Sequence, residues 1–155
     1  MMNFSAELKE KQDYINRVLD KYLPETEGRQ KTVLEAMRYS VTIGGKRLRP
    51  MMMAEVYRTF APNAELCLAE PFMAAMEMLH TYSLVHDDLP EMDNDMYRRG
   101  QLTTHAKYGA DMAILAGDAL LNYAFETACK AFSDGTNPVW DVRVAKALRV
   151  FGAKA

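Results

Sequence analysis

Apolar residues recur along this chain at the spacing of helices, and no stretch alternates in the manner of a β-strand. The first such pattern predicts a helix from Phe4 to Tyr22, which Pro24 and Gly28 would end. The same spacing over residues 33–41 predicts a second helix. The Gly44-Gly45 pair would end it, because glycine adopts left-handed conformations at little cost.

Further helices are predicted downstream. Pro50 is suited to the first turn of a third helix that runs to about Phe60. A long helix is predicted over 65–88 with Pro71 as a candidate kink, and another over 111–132 with Asp111 as its cap. The last begins at about residue 140 and has an apolar face that needs something to pack on. The predicted class is therefore all-α, with helices long enough to form a bundle around a central cavity.

Composition adds few constraints to this picture. The 155 residues suit one domain, and 49% hydrophobic with 26% charged residues is ordinary for a soluble globular protein. A net charge of −2 gives no general attraction to nucleic acid. Cys67 and Cys129 lie far apart, which predicts reduced, buried thiols in a cytoplasmic protein. No signal peptide and no membrane span are expected, because the N-terminus lacks a basic start and an apolar core and no apolar run reaches about 18 residues.

An acidic cluster follows the long apolar helix, in the stretch "SLVHDDLPEMDNDMYRRG" at 83–100. Its five carboxylates are Asp87, Asp88, Glu91, Asp93 and Asp95. Two unit charges about 4 Å apart in a partly screened site repel by about 4 kcal/mol, so a cation is expected among them. Pro90 interrupts the helix just after Asp88, and a bulge there would return Asp93 toward Asp87.

The oxygen atoms of this cluster suit a hard cation. Mg²⁺ takes one or two carboxylates and completes its coordination with water and phosphate oxygens. A calcium loop of the EF-hand type is excluded, because Tyr97 and Arg98 stand where that loop needs a ligand and a glycine. The alternative is a solvated acidic loop. His80 lies on the same helical face as Asp87, either as a core residue or as a donor to an anion.

A basic stretch, "GGKRLRP" at 44–50, places Lys46, Arg47 and Arg49 on a glycine-led turn before a helix. It is not a P-loop, but glycines, a helix N-terminus and arginines all favour phosphate. An extended turn would bring Arg47 and Arg49 to one side. Alone, the stretch also fits an exposed connector. Together with "RRG" at 98–100, it predicts two anionic substrate heads, one held through a metal and one bound directly by cations.

Three ordered stretches, "GGKRLRP", "HTYSLVHDDLPEMDNDMYRRG" and "AILAGDALL", lie between about Thr32 and Ala124. They resemble the trans-isoprenyl diphosphate synthases of the polyprenyl synthetase family, above all the bacterial farnesyl diphosphate synthase (geranyltranstransferase) branch. The resemblance implies a helical bundle around a deep cavity and a homodimer. It also implies Mg²⁺-dependent condensation of an allylic diphosphate with isopentenyl diphosphate. The expected partners are thus small-molecule isoprenyl diphosphates, and the charge and the apolar run lengths predict no nucleic-acid or membrane partner.

The resemblance also implies roles for individual residues. The isopentenyl diphosphate head would be bound by Lys46, Arg49, His80 and Arg99. Asp87 and Asp93 would bind magnesium directly, and Asp88 would support them. Catalysis would depend on all three carboxylates. Arg98 would contact the allylic diphosphate.

Product length would depend on the residues that precede Asp87. Tyr82 lies about 7.5 Å deeper along the helix and resembles the floor that stops growth at fifteen carbons. Periodicity places Ser83 directly beneath Asp87, so Tyr82 would obstruct from the flank.

The family is nearly twice as long as this chain and carries a second aspartate-rich motif. Asp134 and Asp141 are isolated, so residues 1–155 are expected to be the N-terminal half of one domain, unable to complete the catalytic site alone. One alternative is an HD-type metal phosphohydrolase, suggested by His80 and "HDD" at 86–88. That enzyme needs an upstream metal histidine, whereas His105 lies downstream. The other alternative is a non-catalytic helical partner subunit.

Overall fold

The computed structural model describes residues 4–155. Residues 1–3 lie outside the described residues. They belong to the N-terminal stretch for which no signal peptide is expected. The described range contains seven α-helices: α1 Phe4–Tyr22, α2 Lys31–Thr42, α3 Leu48–Phe60, α4 Glu70–Asp87, α5 Thr104–Tyr108, α6 Ala110–Cys129 and α7 Pro138–Lys154. It also contains a short 3₁₀ turn, Leu66–Ala69, and two short strands, β1 Tyr97–Arg98 and β2 Gln101–Leu102. The all-α prediction is confirmed.

Helix α4 is the centre of the bundle and packs chiefly along α6, with α1, α2 and α3 also against it. Met73 and Met78 of α4 are fully buried, and each buried methionine contributes about 1.5–3 kcal/mol. Ala113, Ala116 and Ala124 of α6 are also fully buried, and their small side chains let the two helices approach closely. Helix α4 is therefore packed against its neighbours, and it ends at Asp87, at the start of the acidic cluster.

Prolines begin helices here rather than bend them. Helix α3 begins at Leu48, so Pro50 lies within its first turn as predicted. The long helix predicted over 65–88 is divided, because the 3₁₀ turn precedes α4 and Pro71 occupies the first turn of α4. The candidate kink at Pro71 is therefore wrong. Proline is favoured in the first turn because its missing N–H would lack a helical partner there in any case.

A small hairpin occupies part of the stretch predicted to be irregular, so the expectation of no strand is wrong there. Tyr97 pairs with Leu102 and Arg98 with Gln101 in antiparallel register. The two connecting residues have positive φ, 55° at Arg99 and 77° at Gly100. Such angles are typical of the tight turns that join two strands, and the strands are too short for an alternating pattern to reveal them.

The C-terminal helices differ from expectation at their ends. Gly109, not Asp111, is the N-cap residue of α6. Helix α7 begins at Pro138, and the Asn137 side chain accepts a hydrogen bond of 3.1 Å from the backbone N–H of Trp140. Phe151 is buried edge-on between two phenylalanines, Phe72 at 6.2 Å and Phe125 at 5.2 Å between ring centroids. The last helix therefore packs back onto this domain.

Two sequence expectations concern the molecular surface. Cys67 and Cys129 are both free thiols and both exposed, so the prediction that they are buried is wrong. Each lies near a helix end, where a small apolar residue need not face the core. Between residues 4 and 155, no helix combines the length and apolar character that a membrane span requires.

Candidate active site

The backbone turns back on itself where α4 ends. The Asp93 N–H donates to the Asp87 carbonyl oxygen at 2.9 Å, and the Asn94 N–H donates to the Leu89 carbonyl oxygen at 3.0 Å. Asn94 has φ 54°, an angle that asparagine tolerates better than most residues. The predicted bulge after Asp88 is thus confirmed. It brings the backbone of Asp93 against that of Asp87, so residues 87–94 form an acidic turn.

The three aspartates of this turn have different surroundings. Asp88 is 3% exposed and accepts from Arg98, through Nε at 3.0 and 2.9 Å and through Nη2 at 2.5 Å. This hydrogen bonding to Asp88 raises the pKa of Arg98. Asp87 is half-buried and Asp93 is exposed, and neither carboxylate has a hydrogen bond or ion pair within residues 4–155. Two carboxylates are therefore available to a cation, while the third is committed to Arg98.

This donor set fits magnesium without forming a complete cage for it. No group of three His, Cys, Asp or Glu side chains in the described part of the chain is arranged to hold a metal ion. Magnesium is commonly bound by one or two carboxylates together with water and substrate phosphates. Asp87 and Asp93 match that requirement in number, in ligand chemistry and in the closeness of their backbones.

A basic pocket of about 560 Å³ collects the predicted cationic residues, and Arg99 in its lining directly follows Arg98, which is bound to Asp88. Four of the residues that line it are those expected to bind isopentenyl diphosphate: Lys46, Arg49, His80 and Arg99. The other five are Gln12, Gly45, Arg47, Leu48 and Glu77. The four come from three separate parts of the sequence, namely the glycine-led turn with the start of α3, helix α4, and the hairpin. The fold therefore concentrates positive charge at one place.

Gly45 allows the hairpin to reach this pocket. Arg99 Nη1 donates to the carbonyl oxygen of Gly44, so its guanidinium lies directly over the glycine pair. A Cβ atom at position 45 would lie 2.6 Å from Arg99 Nη1, closer than real contacts allow, and φ there is +144°. Glycine at position 45 is therefore required for Arg99 to take this position.

The electrostatics of the pocket reflect crowded cations. Burial, followed by the charge of Arg49, lowers the pKa of His80. Burial, followed by the charge of Arg47, lowers the pKa of Arg99, although an arginine remains charged at neutral pH. Lys46 and Arg49 are exposed, and their side chains have no hydrogen bond or ion pair among residues 4–155. An anion entering the pocket would relieve this repulsion.

Arg47 and Arg49 were expected to share a side only if the turn is extended, and that condition is not met, although both residues line the pocket. The turn is not extended, because Arg47 has φ 54°, and its side chain is 4% exposed while Arg49 is exposed. Its Nη1 donates to Glu77 Oε1 at 3.0 Å. Sequence reasoning missed Glu77, although one acid within the apolar "MAAMEMLH" indicated a buried carboxylate in need of a partner. It also missed Gln12, whose Nε2 donates to the Gly45 carbonyl oxygen at 2.6 Å.

The Polyprenyl synthetase family model matches residues 30–151, which is most of the chain and includes all of the basic pocket apart from Gln12. The chain belongs to the polyprenyl synthetase family.

Individual relatives are consistent with this assignment and differ in product. The chain is 41% identical over 141 residues to a farnesyl diphosphate synthase from Geobacillus stearothermophilus, covering 91% of this chain and 46% of the relative. It is 46% identical over 124 residues to a geranylgeranyl diphosphate synthase from Cyanophora paradoxa, covering 80% of this chain and 40% of the relative. This polyprenyl synthetase chain thus spans less than half the length of both relatives.

Solved structures show the same fold. An FPP/GFPP synthase from Zymomonas mobilis superposes with a TM-score of 0.80 at 36% identity, over 96% of this chain and 52% of that one. A geranyltransferase from Legionella pneumophila superposes with a TM-score of 0.80 at 28% identity, over 94% and 50% respectively. The all-α isoprenoid synthase architecture is therefore shown for this chain, which spans about half the length of both solved structures.

Two residues expected to limit product length in this polyprenyl synthetase lie one to two turns below the acidic turn. The Tyr82 ring is half-buried and meets the His86 ring edge-on at 5.7 Å. Ser83 Oγ donates to the His80 carbonyl oxygen at 2.9 Å. His86 Nε2 lies 3.2 Å from the Ile114 carbonyl oxygen of α6, whereas His80 lines the basic pocket. The two histidines thus face different neighbours, which gives no support to the hydrolase alternative.

Proposed function

We propose that this chain supplies the diphosphate-binding part of a trans-prenyltransferase of the geranyltranstransferase type. The reaction is the condensation of dimethylallyl or geranyl diphosphate with isopentenyl diphosphate, with farnesyl diphosphate as the product. The observation that carries the proposal is the basic pocket, where Lys46, Arg49, His80 and Arg99 converge from three parts of the sequence beside the acidic turn.

The pocket is proposed to bind the diphosphate of isopentenyl diphosphate. Lys46 and Arg49 have no protein partner among residues 4–155 and are free to pair with phosphate oxygens. Arg99 is held over the glycine pair and completes the cluster. His80 donates an N–H to the anion, and it lies about 10 Å along α4 from Asp87, two turns away. This separation keeps the two diphosphates apart while their hydrocarbon tails meet.

The acidic turn is proposed to bind the allylic diphosphate. Asp87 and Asp93 would hold Mg²⁺, which when bound supplies positive charge to the departing diphosphate. Asp88 supports them by orienting Arg98, whose remaining N–H groups are available to the same diphosphate. The nucleophile is the double bond of the second substrate, so no protein nucleophile is needed. An apolar interior would exclude water from the allylic cation.

The same proposal covers product length, domain organisation, cellular location and oligomeric state. Tyr82, flanking Ser83, would limit the product to fifteen carbons. The chain would be the N-terminal half of one synthase domain, acting in the cytoplasm as part of a homodimer. On its own it would not complete the catalytic site, because the second aspartate-rich motif that the resemblance implies has no counterpart among residues 1–155. Detectable prenyl transfer by the purified 155-residue chain would contradict that last statement.

Isothermal titration of isopentenyl diphosphate into the chain tests the pocket assignment. Binding without added metal is expected, and Lys46→Ala should weaken it about tenfold, because one charge-assisted contact is lost. Lys146→Ala is the matched control, since Lys146 is an exposed lysine on α7 that lies outside this pocket. Equal effects of the two variants would show that the anion binds elsewhere.

A second titration, with a bisphosphonate in the presence and absence of magnesium, separates the alternatives. Binding that requires magnesium supports the synthase assignment. Metal binding without preference for the diphosphate analogue would favour a metal phosphohydrolase. Absence of both would favour a non-catalytic partner subunit.

A further inference from the structure

The guanidinium of Arg47 links four helices at the inner wall of the basic pocket. Its Nε donates to Asn16 Oδ1 of α1 at 3.0 Å, Nη1 to Glu77 Oε1 of α4 at 3.0 Å, and Nη2 to the Val41 carbonyl oxygen of α2 at 2.7 Å. Arg47 is itself the residue that precedes α3. All three nitrogens of the guanidinium thus have protein partners, in contrast to Lys46 and Arg49 beside it.

Glu77 is the one acidic side chain among the described residues that line this pocket. Its side chain and that of Arg47 are each 4% exposed. An unpaired carboxylate there would repel a diphosphate, because Coulomb energy falls slowly with distance in a poorly solvated site. An ion pair with Arg47 cancels that repulsion locally. Glu77 in turn supplies the countercharge that a buried guanidinium requires.

We infer that Arg47 is a positioning residue that acts through Glu77, neutralising and holding it so that the other cations of the pocket attract a diphosphate. Arg47 does not itself contact the diphosphate. The inference rests on the proposed anion pocket and adds to it an internal ion pair that sets the charge of its wall. It also explains why two neighbouring arginines, Arg47 and Arg49, have opposite exposures.

The test is a double-mutant cycle read by isothermal titration of inorganic pyrophosphate without metal. Arg47→Met leaves Glu77 unpaired and should weaken binding about tenfold or more. Glu77→Gln keeps the shape of the side chain, removes the negative charge, and should tighten binding. The double variant Arg47→Met/Glu77→Gln has no unpaired buried charge, so it should fold and should restore affinity to within about threefold of wild type.

The outcomes are distinct. A double variant that binds as weakly as Arg47→Met would overturn the inference, because it would mean that Arg47 touches the anion directly. If Arg47→Met fails to fold, which circular dichroism would reveal, the comparison of the double variant with wild type still decides. A wild-type chain that binds no pyrophosphate, or binds it equally well after Lys46→Ala, would instead overturn the proposed pocket itself.

Discussion

Replacing Asp88 with asparagine tests whether this carboxylate stabilises the fold through its hydrogen bonds with Arg98 or binds a metal ion. The Asp88 side chain belongs to a residue that is 3% exposed, and it accepts hydrogen bonds of 2.5–3.0 Å from two nitrogens of Arg98. Asparagine has nearly the same shape and keeps one carbonyl oxygen as an acceptor. It removes the negative charge and one arm of the bidentate pair. The variant therefore disrupts the charge-assisted pair with Arg98 while it changes the shape of the side chain very little.

The expected loss of stability follows from this geometry. Hydrogen bonds to charged groups contribute about 1.5–3 kcal/mol each, and removing one partner of a fully buried pair costs about 3–5 kcal/mol. The Arg98 side chain is 25% exposed, so water recovers part of its solvation. We expect a loss of about 2 kcal/mol, which for a domain of this size lowers Tm by about 4–8 °C.

Urea and thermal unfolding followed by circular dichroism would measure this loss. Asp87→Asn is the matched control, because Asp87 is half-buried and its carboxylate has no hydrogen bond or ion pair within residues 4–155. That variant should change the free energy of unfolding by less than about 0.5 kcal/mol. It should nevertheless abolish magnesium-dependent binding of a bisphosphonate, since it removes a proposed ligand.

One result would refute this reasoning. If Asp88→Asn kept the wild-type Tm and lost magnesium-dependent binding as completely as Asp87→Asn, Asp88 would be a metal ligand. Its bonds to Arg98 would then contribute nothing to the stability of the fold. A lower Tm together with retained magnesium dependence is the outcome that the geometry predicts.

Three further predictions concern the pocket and the product. Gly45→Ala should lower pyrophosphate affinity in isothermal titration, because the new Cβ would displace Arg99. Gly28→Ala is the control: Gly28 also has positive φ but has open space around it, so this variant should lower only Tm, by a few degrees. Equal pyrophosphate affinities of the two variants would contradict this prediction. Because burial and Arg49 lower the pKa of His80, the unfolded chain binds the proton more readily, so stability is lost as pH falls below about 6.5. His80→Gln should reduce that loss in Tm measured at pH 7.5 and 5.5, and parallel profiles would disagree. In a synthase that contains this chain, Tyr82→Ala should lengthen the product seen by chromatography, and an unchanged profile would remove Tyr82 from this role.

Local signals in the sequence were sufficient for most of the fold. Helix α1 ends at Tyr22 as predicted, because its apolar stripe stops there and Pro24 follows. The interruption after Asp88 was also predictable, since Pro90 acts on the backbone of its immediate neighbours. The hairpin at 97–102 was not, because it depends on two-residue strands and on positive φ at Arg99.

The helical class, the family and most of the charged residues of the site could be inferred from the residues alone, but Glu77 could not. The packing of the helices determines how those charges are paired: Arg47 is paired with Glu77, thirty positions away, while Arg49 is left free. It likewise committed Asp88 to Arg98 and left Asp87 and Asp93 available. Periodicity reports which face of a helix is apolar, a property of neighbours in sequence. The partner of a buried charge is chosen by whichever distant segment the packing brings within about 3 Å, and no local pattern carries that information.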